Sequence, residues 1–233
     1  MRYKNLLSVF LVLAHMVAFC NSNNDTIITK DVSFVNQKIL PPKYIYDLLE
    51  ANKLSYDVFE KAYNGFVYLQ DNNQVKKNVL TIIDYDLSST ERRLWVIDLD
   101  SIRVIINDWV AHGKNSGGNF ANSFSNTPDS FKSSIGFFTT SETYYGKHGL
   151  SLYINGIEEG INDNARERYI VIHGADYVSK DFIDKYGRLG RSLGCPAVPH
   201  TSCKKIINTI KNKSCIYING NSNSYTSLLN RGI

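Results

Sequence analysis

Cys195 sits in Gly190-Arg191-Ser192-Leu193-Gly194-Cys195-Pro196-Ala197, a run that suits neither a strand nor a helix interior. A glycine before the thiol lets backbone N–H groups turn toward a reacting carbonyl oxygen, and a proline after it stiffens the turn. Main chain arranged this way can stabilise the oxyanion formed when a thiolate attacks a carbonyl. A buried, inert thiol in a tight turn would use the same residues, because cysteine is among the most buried side chains. A nucleophilic thiol also needs a base. His173 closes the apolar run Tyr169-Ile170-Val171-Ile172 and precedes Gly174, so its imidazole can emerge at a sheet edge and take the thiol proton. His112 has a similar setting in Asp108-Trp109-Val110-Ala111-His112-Gly113, and local context does not choose between the two. No Cys-x-x-Cys, His-Glu-x-x-His or calcium-loop pattern occurs, so neither a metal nor a cofactor is expected.

The elements that must position these groups are mostly strands. Residues 79–85, 94–99 and 102–110 carry β-branched and aromatic residues at strand length, the last two joined by a tight Asp100-Ser101 turn. Residues 135–140, 150–155, 169–173 and 215–219 read the same way. Ser179 predicts an N-cap for a helix stopped by Gly187, and residues 201–210 place Ile206, Ile207 and Ile210 at helical spacing. Upstream, Pro41-Pro42 opens one helical pattern and Ser55 caps another, which predicts a short helical arm over residues 41–70. Residues 111–134 are rich in Gly, Ser and Asn and predict no element. An irregular stretch of that length in a compact domain points to a substrate lid or wall. Arg166 and Arg168, just ahead of the His173 strand, are expected to face solvent.

Arg2 and Lys4 followed by an uncharged apolar run to Phe19 predict a secretory signal over residues 1–22, cleaved near Cys20 or Ser22, and hence an exported protein. Beyond the signal the chain divides into a linker and helical arm (23–70) and one domain (71–233). Net charge is only +4 and the basic residues are scattered, so no nucleic-acid footprint is expected. Oxidising surroundings raise the option of a Cys203–Cys215 bridge; a buried free thiol on the helix fits Cys203 equally.

His173-Gly174-Ala175-Asp176-Tyr177, followed by Gly190 through Val198, resembles the His-Gly … Ser-x-Gly-Cys signature of the L,D-transpeptidase (YkuD-like) catalytic domain. The branch it is most similar to comprises murein L,D-transpeptidase catalytic domain proteins. Val110-Ala111-His112-Gly113, Tyr145-Gly146-Lys147-His148-Gly149 and Asn162-Asp163-Asn164-Ala165-Arg166 echo the same branch, and the similarity runs over residues 79–219. The resemblance implies a mainly β sandwich or barrel with peripheral helices and acyl transfer on peptidoglycan stem peptides. The cysteine attacks the carbonyl of an L-configured diamino-acid centre, and the acyl group passes to an amine of a second stem peptide or an envelope protein. Carried over by position, Cys195 is the nucleophile, His173 the base, the Gly174 carbonyl orients the ring, and the Gly194 and Cys195 amides form the oxyanion site. Ser192 matches the family serine. Many members carry histidine where this chain has Leu193, and His112, then His148, are the candidates to replace that imidazole. Arg191 is placed to pair with a stem-peptide carboxylate and Tyr177 to close the pocket. Hydrolysis in place of transfer, a silent wall-binding module, and a protein-directed cysteine protease are the competing readings.

Overall fold

The computed structural model describes residues 40–221; the expected signal segment and linker lie outside them. Two helices open this part of the chain, α1 (Pro42–Leu48) and α2 (Tyr56–Asp71). Ser55 caps α2 by accepting a bond from the Val58 N–H at 3.3 Å, satisfying one of the donors that a helix start leaves over.

Eight strands come next: β1 (Val79–Asp84), β2 (Leu94–Asp98), β3 (Arg103–Asp108), β4 (Gly136–Gly146), β5 (Gly149–Gly156), β6 (Val171–Gly174), β7 (Ala197–Val198) and β8 (Cys215–Asn219). They form one sheet in the order β3-β2-β1-β8-β4-β5-β6-β7. The β1/β8 and β6/β7 pairs are parallel and the others antiparallel. Just past β3, Ala111 bridges Ala197 of β7 through two backbone bonds of 2.8 and 3.2 Å, so the two ends of the sheet meet and the sheet nearly closes into a barrel. The fold is therefore mainly β with few helices, as the strand pattern predicts.

Period-two alternation sends the apolar residues of β1, β2 and β8 to two cores. Ile83 and Tyr85, Leu94 and Val96, and Ile216 and Ile218 join one cluster, which α4 (His200–Ile210) completes with Ile206, Ile207 and Ile210. Leu80 and Ile82, Trp95 and Ile97, and Cys215 and Tyr217 join the other, which α1 and α2 cover with Ile45, Phe59, Ala62 and Phe66. The helical arm thus shares a core with the outer face of the sheet. Contact there is close enough that a Cβ built on Gly65 of α2 would lie 2.0 Å from Phe137 Cζ. Alanine is the better helix former by about 1 kcal/mol. Overpacking a buried ring costs about 1–3 kcal/mol and outweighs it. Gly65→Ala is expected to lower Tm by roughly 4 °C in a thermal melt; a rise would mean that the helix docks more loosely.

Contacts between elements extend one strand beyond its expected end and decide between the two options for Cys203. β4 continues six residues beyond Thr140, through Thr143, Tyr144 and Tyr145, whose types suit a strand, and pairing with β5 as far as Gly146↔Gly149 holds it; Lys147 and His148 then sit at the hairpin tip. Cys203 and Cys215 are free thiols. They belong to different cores, Cys203 on α4 with the first cluster and Cys215 on β8 with the second, so no bridge joins them. α3 (Lys180–Tyr186) keeps its expected ends, Ser179 accepting from the Phe182 N–H and Gly187 left-handed at φ +69.

Candidate active site

Ser192 organises the turn that carries Cys195. Its Oγ accepts from the Gly194 N–H at 3.0 Å and donates to the Cys195 carbonyl at 2.6 Å, closing a knot around Leu193 and Gly194. Gly194 has φ +126, a conformation only glycine adopts without strain, and a Cβ there would lie 3.0 Å from the Lys132 carbonyl oxygen. Ser192 thus holds the Gly194 N–H in the resting turn; of the two amides expected at the oxyanion site, that of Cys195 makes no hydrogen bond among the described residues.

The irregular stretch 111–134 braces this turn. The Ser192 N–H donates to the His112 carbonyl at 2.9 Å, and the Lys114 N–H donates to the Ser192 carbonyl at 2.8 Å. Ser133 Oγ accepts from the Gly113 N–H at 3.0 Å and donates to the Gly194 carbonyl at 3.2 Å, while the Ser133 N–H donates to Ser116 Oγ at 2.9 Å. The stretch is a fixed wall, held by the polar groups that made it look unstructured in sequence.

His173 is 4% exposed at the end of β6, with Nδ1 2.9 Å from the Gly174 carbonyl oxygen. A carbonyl only accepts, so Nδ1 carries the proton and Nε2 presents a lone pair. The parallel register pairs His173 with Ala197, the first residue of β7, and Cys195 lies two residues before it in the turn that leads into that strand. Cys195 is half-buried, and its Sγ donates to the Tyr169 carbonyl at 3.7 Å. No hydrogen bond joins it to His173 among the described residues; catalytic contacts of this kind commonly tighten only when substrate binds. Burial pushes the Cys195 thiol up, while the Val171 amide and the Arg168 guanidinium pull it down. Burial likewise lowers His173, partly offset by the Gly174 carbonyl and reinforced by His148, His200 and Lys147.

The other expected residues divide by exposure. His148, at the β4–β5 tip, tilts its exposed ring 4.5 Å from that of His173, and His200 also lies close to this strand end. His112 is 1% exposed and Ser192 5% exposed, and both brace the turn. Arg93 Nη2 donates to His112 Nδ1 at 2.8 Å, which fixes the His112 tautomer, and burial, then the Arg93 charge, push that imidazole down to about 4. His112 is therefore neutral near pH 7. Arg191 is exposed but spends Nη1 on the Lys114 and Gly117 carbonyls at 3.2 and 2.9 Å, leaving the rest of its fork at the surface. Tyr177 is half-buried beside Gly190; burial first, then the nearby thiol and Tyr85, raise its phenol to about 12.

Arg168 is the group that the sequence misplaces. It does not face solvent: its two Nη atoms donate to the Ser125 and Lys132 carbonyls and to Ser134 Oγ and Ser130 Oγ, at 2.5–3.2 Å. All four acceptors lie in the wall, and no local signal at residue 168 reveals that the wall folds back over it. A cavity of about 670 Å³ opens elsewhere, lined by Asp86, Phe120, Phe124 and Asn221 among others, and includes neither Cys195 nor His173.

Fold and site together define a nearly closed β sheet with an oriented imidazole on β6 and a free thiol in the turn that leads into β7. The chain belongs to the L,D-transpeptidase catalytic domain family, whose model matches residues 50–219. Nothing among curated proteins matches it. Solved structures similar to it include an L,D-transpeptidase from Mycobacterium smegmatis, at 12% identity over 61% of this chain and 59% of that one, with a TM-score of 0.39. The helical cell shape determining protein Pgp2 from Campylobacter jejuni is similar at 13% identity over 68% and 56%, TM-score 0.40. An L,D-transpeptidase from Stackebrandtia nassauensis is similar at 15% identity over 75% and 70%, TM-score 0.35. The chain thus spans under two thirds of the length of the first two.

Proposed function

We propose that this protein is an exported cysteine acyltransferase that acts on peptidoglycan stem peptides through a Cys195 acyl-enzyme. The observation that carries the reading is the His173 Nδ1–Gly174 carbonyl bond, which leaves Nε2 unprotonated one strand from a free thiol on a glycine turn. His173 takes the Cys195 proton and the sulfur attacks the carbonyl carbon of the L-configured diamino-acid centre. The Cys195 N–H stabilises the oxyanion. The C–N bond to the terminal D-residue breaks, and that amine leaves with the proton from His173. An acceptor amine, on a second stem peptide or an envelope protein, then attacks the thioester, gives its proton to His173 and releases the thiolate. No metal or cofactor takes part in this scheme. The signal-like residues 1–22 support a place in the cell envelope.

Mature protein incubated with tetrapeptide stems should yield cross-linked dimers, identified by mass. Trimmed monomers without dimers would assign water as the acceptor and a carboxypeptidase in place of a transferase. Because burial and the neighbouring cations hold His173 below the ordinary imidazole value, the acid limb of kcat/KM is expected below that value. His148→Gln removes one of those cations in its charged form, so the limb should move to higher pH; a profile that does not respond would separate His148 from the base.

A further inference from the structure

Arg168 is a half-buried cation with no carboxylate partner among the described residues. Every acceptor it uses is neutral, two carbonyls and two serine hydroxyls. A guanidinium taken partly out of water is costly unless an anion shares its surroundings. Cys195, once ionised, can supply that anion. A Cβ built on Gly194, the residue before the thiol, would lie 3.5 Å from Arg168 Nη2. On the other side, Tyr169 adopts the left-handed region at φ +54 although it is not glycine and is 73% exposed. Strain of this kind persists where the surroundings demand it. Here that backbone turns the Arg168 side chain inward while aiming the Tyr169 carbonyl at the Cys195 sulfur.

We propose that Arg168 is a positioning residue for the nucleophile, a fixed positive charge that the wall pins beside the Cys195 sulfur so that the thiolate forms next to it. The resting bond to the Tyr169 carbonyl keeps the sulfur protonated, since a carbonyl accepts only from a thiol. When His173 removes the proton, the sulfur gives up that acceptor and gains the guanidinium as counter-charge. Other groups near the sulfur are the Val171 amide and the phenols of Tyr85 and Tyr177. Arg168 is the permanent cation among them. Its influence on the thiol runs in the activating direction, against the burial that opposes ionisation.

The proposal rests on the nucleophile role of Cys195, and its test reads the thiol directly. Iodoacetamide alkylation of Cys195 in the full chain, followed by peptide mass spectrometry from pH 5 to 10, reports thiolate formation without any stem peptide. Arg168→Gln should move the profile to higher pH and slow alkylation at pH 7 by about tenfold. Arg168→Lys keeps the charge but loses the fork that the wall grips, and should fall between. A brace alone would lower the melting temperature in both variants and leave the alkylation profile where it was, and that outcome overturns the proposal. If Arg168→Gln does not fold, Ser130→Ala with Ser134→Ala removes two of the pins and retains the charge; a smaller shift in the same direction supports the proposal and an unmoved profile counts against it. A shifted profile combined with no stem-peptide product would sink the substrate assignment and leave Arg168 standing.

Discussion

Cys195→Ala abolishes acyl transfer and leaves the fold in place. Loss of the covalent step should lower kcat/KM by about 10⁵-fold or more, to the background left by binding and the oxyanion donor. Stability should change by less than about 1 kcal/mol, because the side chain is half-buried at the edge of the inner cluster and the turn is held by Ser192, whose bonds run to backbone atoms the substitution keeps. Stem-peptide turnover and a thermal melt on the same preparation check both halves. Transfer surviving in the alanine variant would move the nucleophile elsewhere. Neither of the other described thiols is placed to inherit the role, since Cys203 and Cys215 are buried in the two cores.

His173→Gln should be the next most severe change, lowering kcat/KM near pH 7 by about 10²–10⁴-fold. Glutamine retains a donor for the Gly174 carbonyl but has no proton to exchange, so orientation survives and acid–base function does not. The deficit should shrink at alkaline pH, where Cys195 ionises without help. A constant deficit across the pH range would indicate that His173 only shapes the pocket. Leu193 sharpens this prediction. It is 59% exposed and carries no proton to exchange; the ring of His148 at the hairpin tip lies 4.5 Å from that of His173.

Much of this fold was legible because its strands alternate strictly. Leu94-Trp95-Val96-Ile97 fills two cores in turn, and Ser55, Ser179 and Gly187 mark helix ends by chemistry that acts over a few residues. Cys195 and His173 were legible as types in a Gly-Pro turn and at a strand end. Other features depend on contacts between segments far apart in sequence. Ser192 bonding the Gly194 N–H is local, yet it appears only with coordinates. Arg168 meets Ser125, Ser130, Lys132 and Ser134 across more than 30 residues of chain. His148 reaches His173 because β4 pairs with β5 beyond Thr140, its expected end. Cys203 and Cys215 face different cores because of helix phase and strand parity, which a count of cysteines does not carry.

Intact-protein mass spectrometry of the full chain mixed with a tetrapeptide stem and quenched in acid tests the central claim most directly. The account predicts a mass increase equal to the tripeptide acyl group, mapped to Cys195 by digestion and absent from Cys195→Ala. No adduct under conditions where the thiol alkylates normally, or an adduct on any other residue, would contradict it.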